Sequence, residues 1–268
     1  MTHLCLFLLK KCIIFLGDIM KITKYEKKKN GMYQIFFDGG FNVDIHEEII
    51  LKYNLLIKKQ ATNFEIEKML DENKKYISYN LAIKYLSVKM RSKKEIKEYL
   101  LKKDIEFETI DEVIKLLEKD HYLDDYTYSK AYVNDKILLS NDGPYKIKNK
   151  LLDLGICEDA INKALTVFNE DIQLEKIDKL VTKYINSNRN KSVYSLKNKI
   201  FENLTNLGYS KSLINDVIDK TSFNDDNDIA KKEYNKIYKR LSRKYSGSEL
   251  DYKIKQKMYA LGFRNFNI

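Results

Sequence analysis

Three segments of the chain end a helix in the same way. They are "KLLDLGI" at Lys150–Ile156, "NLTNLGY" at Asn203–Tyr209 and "KMYALGF" at Lys257–Phe263, with their glycines 53 and 54 residues apart. Aligned on Gly155, Gly208 and Gly262, the position eight earlier is isoleucine each time (Ile147, Ile200, Ile254). Four earlier stand Leu151, Leu204 and Met258, and one earlier Leu154, Leu207 and Leu261. A fourth copy lies upstream, with Ile96, Leu100 and Ile105 in register and Asp104 in the glycine slot. Six residues after the slot, Ile110, Ile161 and Ile214 open the next helix. Residues eight, four and one before a stop read as one buried helical stripe ending at a residue of positive φ, where glycine is favoured and aspartate less so.

A unit of about fifty residues holds roughly three helices of ordinary length with short connections. The expected fold is mainly α: tandem three-helix repeats in an elongated array, each burying its stripe partly on its neighbours. Nine glycines and one proline in 268 residues suit long helices rather than a turn-rich β protein. Other local signals agree. Ile161, Ala164, Leu165 and Phe168 share one face, as do Ala230, Tyr234, Ile237, Tyr238, Leu241 and Tyr245. Ser92 and Glu95 have capping-box spacing, and Pro144 after Gly143 suits a first helical position. Before the helices, Tyr33, Ile35 and Phe37 alternate ahead of Asp38-Gly39-Gly40, and Phe41, Val43 and Ile45 alternate after it. This is a β-hairpin pattern, with Ile22–Tyr25 as a weak third strand. The expected division is a hairpin unit at 20–63, a linker helix and first repeat at 64–119, and repeats at 120–170, 171–220 and 221–268.

No phosphate-binding loop, dinucleotide-binding turn, zinc-protease helix or nucleophile elbow occurs, so no enzyme chemistry and no cofactor are expected. The three histidines are not paired at helical spacing, and Cys5, Cys12 and Cys157 have no ligand spacing, so no metal site is expected either. An odd, sparse cysteine set suits a reducing compartment, the cytoplasm. Asp124-Asp125 and the "DDND" run at 225–228 read as helix-start caps, with a divalent-metal site acting on nucleic acid as the distant alternative.

The net charge of +10 points to a polyanionic partner, against the alternative of a merely lysine-rich composition. From Ile229 onward there are eleven Lys and Arg against three acids, so this stretch carries +8 of the total. Lys232, Lys236, Lys239, Arg240 and Arg243 lie opposite the tyrosine-rich stripe of their helix, and Lys253, Lys257 and Arg264 follow on the next. Together they are candidates for a strip tracking a phosphate backbone, with a solvated helix face or an acidic protein groove as the alternatives. Tyr128, Tyr132, Tyr234, Tyr238 and Tyr245 fall on the packing stripes and are read as core rather than stacking platforms.

Several stretches together resemble the RecX family of bacterial recombination regulators. "LAIKYLSVKMRSKKEI", Leu81–Ile96, is similar to that family's ALxxLxxRxRSxxEL, with Lys89 at the first arginine. "HYLDDYTYSKAYVNDKILLSNDGPYKIKNKLLDLGI", His121–Ile156, is similar to GYLDDxxYAxxYV…GPxxIxxELxxKGI, with His121 at a glycine and Ser129 between Tyr128 and the alanine-like slot. The match is densest from Asn80 to Phe168, and the hairpin start resembles longer members from low-GC Gram-positive bacteria. The resemblance implies a monomer that binds RecA along the RecA–DNA filament and damps its recombination activity, with Arg91 and Ser92 as motif residues. A general DNA-binding repeat protein acting without RecA is the second reading.

The N-terminal "MTHLCLFLLKKCIIFLGD" is apolar but split by Lys10-Lys11 into runs too short to span a bilayer, and it lacks the order of a signal peptide. Codons for Gly17-Asp18 can spell a ribosome-binding sequence just before Met20. The expectation is that translation starts at Met20, with a membrane anchor as the alternative. N-terminal sequencing of the native protein should find Met20 first, and a chain beginning at Met1 would reject this.

Overall fold

The computed structural model describes residues 19–223 and 227–264. The expected mis-started segment before Met20, except Ile19, and the Asp225-Asp226 part of the acidic run lie outside these residues. The chain divides into two compact units, the first ending at Asp124 and the second starting at Asp125. Each is described by itself.

The first unit opens with a four-stranded antiparallel sheet. Its strands are β1 (Ile19–Lys27), β2 (Met32–Phe37), β3 (Asn42–His46) and β4 (Gln60–Thr62), in spatial order β3-β2-β1-β4. The hairpin register pairs Tyr33 with Ile45 and Ile35 with Val43. Ile35, Phe37, Val43 and Ile45 are buried, as their alternation requires. The third strand is not weak: β1 is nine residues long and holds the sheet's centre, pairing with β2 on one side and β4 on the other. Its signal is faint because only Met20 on it is fully buried, so lysines and glutamate interrupt the period-two pattern. Two short helices, α1 (Glu47–Lys52) and α2 (Leu55–Lys58), connect β3 to β4.

Helix α3 (Asn63–Leu86) starts at a Thr62–Glu65 capping box and belongs to two cores. Its first half lays Ile66 and Met69 on the sheet. There the buried Asn73 side chain donates to the Asp44 carbonyl (3.1 Å) and accepts from the His46 amide (2.8 Å), which fixes helix to strand. Its second half joins α4 (Lys93–Leu101) and α5 (Phe107–Lys119) around Ala82, Ile96, Leu100, Ile110, Val113 and Leu117. Ser92 and Glu95 close the expected capping box on α4. Beside it the Arg91 guanidinium lies 4.0 Å from the Tyr85 ring centre and donates to Glu95 at 3.3 Å. Tyr85 in turn stacks on Tyr99 with 4.1 Å between ring centres. One glutamate thus serves both the cap and the arginine, a local reason for the Arg-Ser-x-x-Glu order. His121, standing where the resembling motif carries glycine, has φ +61°, the left-handed conformation that glycine adopts freely.

The second unit contains α6 (Asp125–Leu139), α7 (Pro144–Asp153), α8 (Glu158–Leu165), α9 (Glu170–Ser187), α10 (Val193–Asn206), α11 (Lys211–Lys220), α12 (Asn227–Leu241) and α13 (Gly247–Ala260). Helices α6 to α11 share one core, including Val133, Ile147, Leu151, Ile161, Ile177, Val181, Ile200, Leu204 and Ile214. Helices α12 and α13 enclose a smaller one of Ala230, Ile237, Leu241, Leu250, Ile254, Met258 and Phe263. Among the described residues the last repeat therefore contributes two helices, not three. Tyr128, Tyr132, Tyr234 and Tyr245 are partly buried against these cores, but Tyr238 is 46% exposed because it lies past the edge of the stripe.

All four repeated stops have the same geometry. Asp104, Gly155, Gly208 and Gly262 have φ of +59°, +76°, +90° and +91°. In each, the amide after the slot bonds back to the carbonyl four before it: Ile105 to Leu100, Ile156 to Leu151, Tyr209 to Leu204 and Phe263 to Met258. This is a Schellman closure, in which the same two side chains meet over the helix end. The positions eight and four before the slot are buried in every copy. The position immediately before varies, which corrects the sequence reading in one copy: Leu154 and Leu207 are half-buried against the core, but Leu261 is 44% exposed.

What that position supplies is its carbonyl. The Gly143 amide, at the start of α7, donates to the Leu207 carbonyl at 2.7 Å, and the Tyr145 amide donates to the Gly208 carbonyl at 3.0 Å. One repeat on, the Ser192 hydroxyl, at the start of α10, donates to the Leu261 carbonyl at 2.7 Å. The starts of α7 and α10 are thus each bonded to the stop of the following repeat. The approach is close enough to exclude side chains. A Cβ on Gly208 would stand 2.5 Å from the Lys146 amide nitrogen, one on Gly143 2.6 Å from the Gly208 carbonyl carbon, and one on Gly262 2.5 Å from the Ser192 hydroxyl. Next to this joint Asp142 is partly buried, which opposes its charge, yet Lys146 and Lys136 (2.7 and 3.0 Å) hold its carboxyl below the usual range.

Gly208→Ala is expected to destabilise the second unit by about 2–4 kcal/mol, combining left-handed strain with overpacking against backbone. Gly247→Ala, at φ +58° with nothing within 4 Å of its Cβ position, should cost about 1 kcal/mol from conformation alone. Urea unfolding measures both, and equal losses would contradict a close-approach role for Gly208.

Candidate functional site

The basic residues of the last repeat sit on two helices joined by a short turn. Helix α12 keeps Ala230, Ile237 and Leu241 inward, which leaves Lys232, Lys236, Lys239 and Arg240 exposed, and Arg243 is exposed in the turn that follows. Helix α13 buries Leu250, Ile254 and Met258 and exposes Lys257. The two exposed faces meet along an open groove of about 620 Å³. Lys236, Lys239 and Arg240 line it from α12, Arg243 from the turn after it and Lys257 from α13, together with the apolar Ile237, Ala260 and Leu261.

Five of the nine sequence-derived candidates therefore converge, and four do not. Lys232 is exposed outside the groove lining. Lys253 is half-buried, with its ammonium 5.9 Å from the Tyr245 ring centre. Arg264 stacks 3.6 Å from the Tyr194 ring centre with Tyr259 at 5.3 Å, so it clamps the end of the last repeat to the start of α10. Arg91, in the first unit, has a side chain only 13% exposed and is engaged by Tyr85 and Glu95. Helical spacing showed that these cations share faces, but which ones also find an aromatic partner depends on tertiary packing.

The electrostatics of the groove differ from those of the earlier repeats. There several lysines stand beside carboxylates: Lys75 lies 2.7 Å from both Asp71 and Glu112, Lys93 is 2.6 Å from Glu118, and Lys148 is 2.5 Å from Glu158. In the groove the one acid is Glu233, which engages Lys236 at 3.1 Å. Lys239, Arg240, Arg243 and Lys257 have no ion-pair partner among the described residues. Lysine and arginine side chains are donors only, so the walls present donors and positive charge almost exclusively.

Asp125 is the first residue of α6 and Asp124 precedes it, the position expected of a helix-start pair. Among the described residues no group of three or more His, Cys, Asp or Glu is placed to hold a metal ion, and no helix is long and apolar enough to cross a membrane.

Comparison with known proteins places this architecture. Residues 79–117 match the family model described as RecX, first three-helix domain, and residues 124–165 match RecX, second three-helix domain. These spans cover the end of α3 through most of α5, and α6 through α8. A regulatory protein RecX of Streptococcus pyogenes is 33% identical over 254 residues, covering 93% of this chain and 97% of that one. That of Oceanobacillus iheyensis is 30% identical over 254 residues, covering 91% and 93%. Among solved structures, a crystal structure of regulatory protein RecX superposes with a TM-score of 0.65 at 28% identity, over 75% of this chain and 99% of that one. RecX from Lactobacillus salivarius gives a TM-score of 0.53 at 30% identity, over 56% and 97%. Three-helix units matching in sequence and in structure, over nearly the whole length of such relatives, establish that the chain belongs to the RecX family of regulatory proteins.

Proposed function

We propose that this chain is a cytoplasmic, monomeric regulator of RecA that binds the RecA–DNA filament and lowers its recombinase and ATPase activities. The observation that carries this reading is family membership over more than nine-tenths of the chain, joined to an open groove lined by cations in the last repeat. The repeats offer one packed three-helix unit after another, and a partner that is itself a repeating filament suits such an array. Several modest contacts made together raise avidity without any single deep pocket. The unpaired cations of the last repeat favour attachment to an assembly that carries nucleic acid. Chemistry of its own is not part of the reading: regulation here is a matter of occupying a surface.

The donor-only groove also favours a second reading, a DNA-binding repeat protein that acts without RecA. RecA-driven ATP hydrolysis on single-stranded DNA separates the two. On the first reading, the rate falls several-fold when this protein is added at stoichiometric ratio to RecA. An unchanged rate, with bare DNA bound tightly by the same protein, would replace it with the second.

A further inference from the structure

We propose that the groove between α12 and α13 binds the phosphodiester backbone of single-stranded nucleic acid directly, with Lys239, Arg240 and Arg243 on one wall and Lys257 on the other. This deepens the reading above by assigning the last repeat to the nucleic-acid component of its target rather than to the protein component.

Three features carry the assignment. The first is the donor-only lining. A phosphodiester backbone presents acceptors and negative charge, whereas a peptide also brings backbone N–H groups that need acceptors. The groove's one carboxylate is Glu233, already engaged by Lys236. The second is spacing. Lys236 and Arg240 stand one turn apart on α12, a rise of roughly 6 Å, and Arg243 follows in the turn just past the helix end, so positive charges succeed one another along the groove. The third is shape. The charges line an open cleft together with the apolar Ile237, Ala260 and Leu261, which one strand can enter, while a duplex carries its phosphates on a broad convex surface and can only lie across it.

The surface past the end of the groove continues the sign. Leu261 lines the groove and its carbonyl receives the Ser192 hydroxyl, so the start of α10 adjoins it. Lys191 and Lys199 stand together there, and contact with Lys199 pulls the Lys191 ammonium below the ordinary lysine range. Two like charges side by side are an arrangement that a bound anion relieves.

The test uses the full chain and a fluorescein-labelled oligothymidylate, with no RecA present, read by anisotropy across a salt series. The triple variant Lys239→Gln, Arg240→Gln, Arg243→Gln should bind at least tenfold more weakly. Its log K against log salt should be shallower by about 2, at about 0.7 per phosphate contact on a single strand. A triple variant of equal charge loss at exposed sites elsewhere, Lys102→Gln, Lys115→Gln, Lys130→Gln, should change affinity less than about twofold. Lys257→Gln alone, on the opposite wall, should weaken binding by itself and decides the matter if the triple variant fails to fold by circular dichroism. No binding by the wild type, equal weakening by the two triple variants, or equal affinity for a duplex of the same length or for polyglutamate would overturn the proposal. RecA-driven ATP hydrolysis with the same variants keeps the two readings apart. Inhibition retained by a wild type that binds no bare strand would leave the regulator reading intact and reject this site.

Discussion

The second unit is held in register by backbone meeting backbone at the ends of its helices. A Schellman closure uses up the carbonyls of C3 and C2, but it leaves that of the C-cap residue pointing outward. Leu207 and Leu261 occupy that position, and each carbonyl is taken by the start of a helix in the preceding repeat, from the Gly143 amide or the Ser192 hydroxyl. Helix starts also leave amides without partners. One contact therefore satisfies both deficits, and it requires the two chain segments to approach with nothing between them. That is why Gly143 is glycine although its own φ of −85° demands no such residue.

From this contact follows the placement of the last repeat. Its own core contains seven buried residues, small for an independent body. The Ser192–Leu261 bond, the seating of Gly262 against Ser192 and the Arg264 stack on Tyr194 tie its end to α10. These ties leave the outward faces of α12 and α13 free of any structural duty. Charge can then accumulate there with one ion pair, Lys236–Glu233, whereas a lysine such as Lys75 on α3 is drawn into pairs with Asp71 on its own helix and Glu112 on α5. Exposed pairs of that kind add little stability, so their scarcity in the groove costs the fold little.

How much of this was legible in the residues depends on the range over which each feature is determined. The glycine stops, the buried positions eight and four before them, the capping box at Ser92 and the proline at the start of α7 are set within one or two helical turns, and all could be read. The strength of β1 could not, because its stability comes from two neighbouring strands rather than from its own alternation. Nor could the carbonyl contacts of Leu207 and Leu261, since their donors belong to the preceding repeat. At the candidate site, composition found the cations, but convergence of five of them on one groove depends on how α12 packs on α13. The spacing between stops also hides a change of length: α7 has ten residues and α10 and α13 fourteen, so the later repeats carry an extra turn.

Native-state hydrogen exchange at the amides of Gly143 and Tyr145 tests the joint between repeats most directly. An amide in the first turn of a helix has no acceptor within that helix and exchanges fast unless something outside the helix holds it. Bonded to Leu207 and Gly208, these two should exchange as slowly as the core amides of α10, such as Ile200 and Leu204. Exchange as fast as at Asp159, which holds the equivalent position in α8, would show that the repeats are not joined through their backbones.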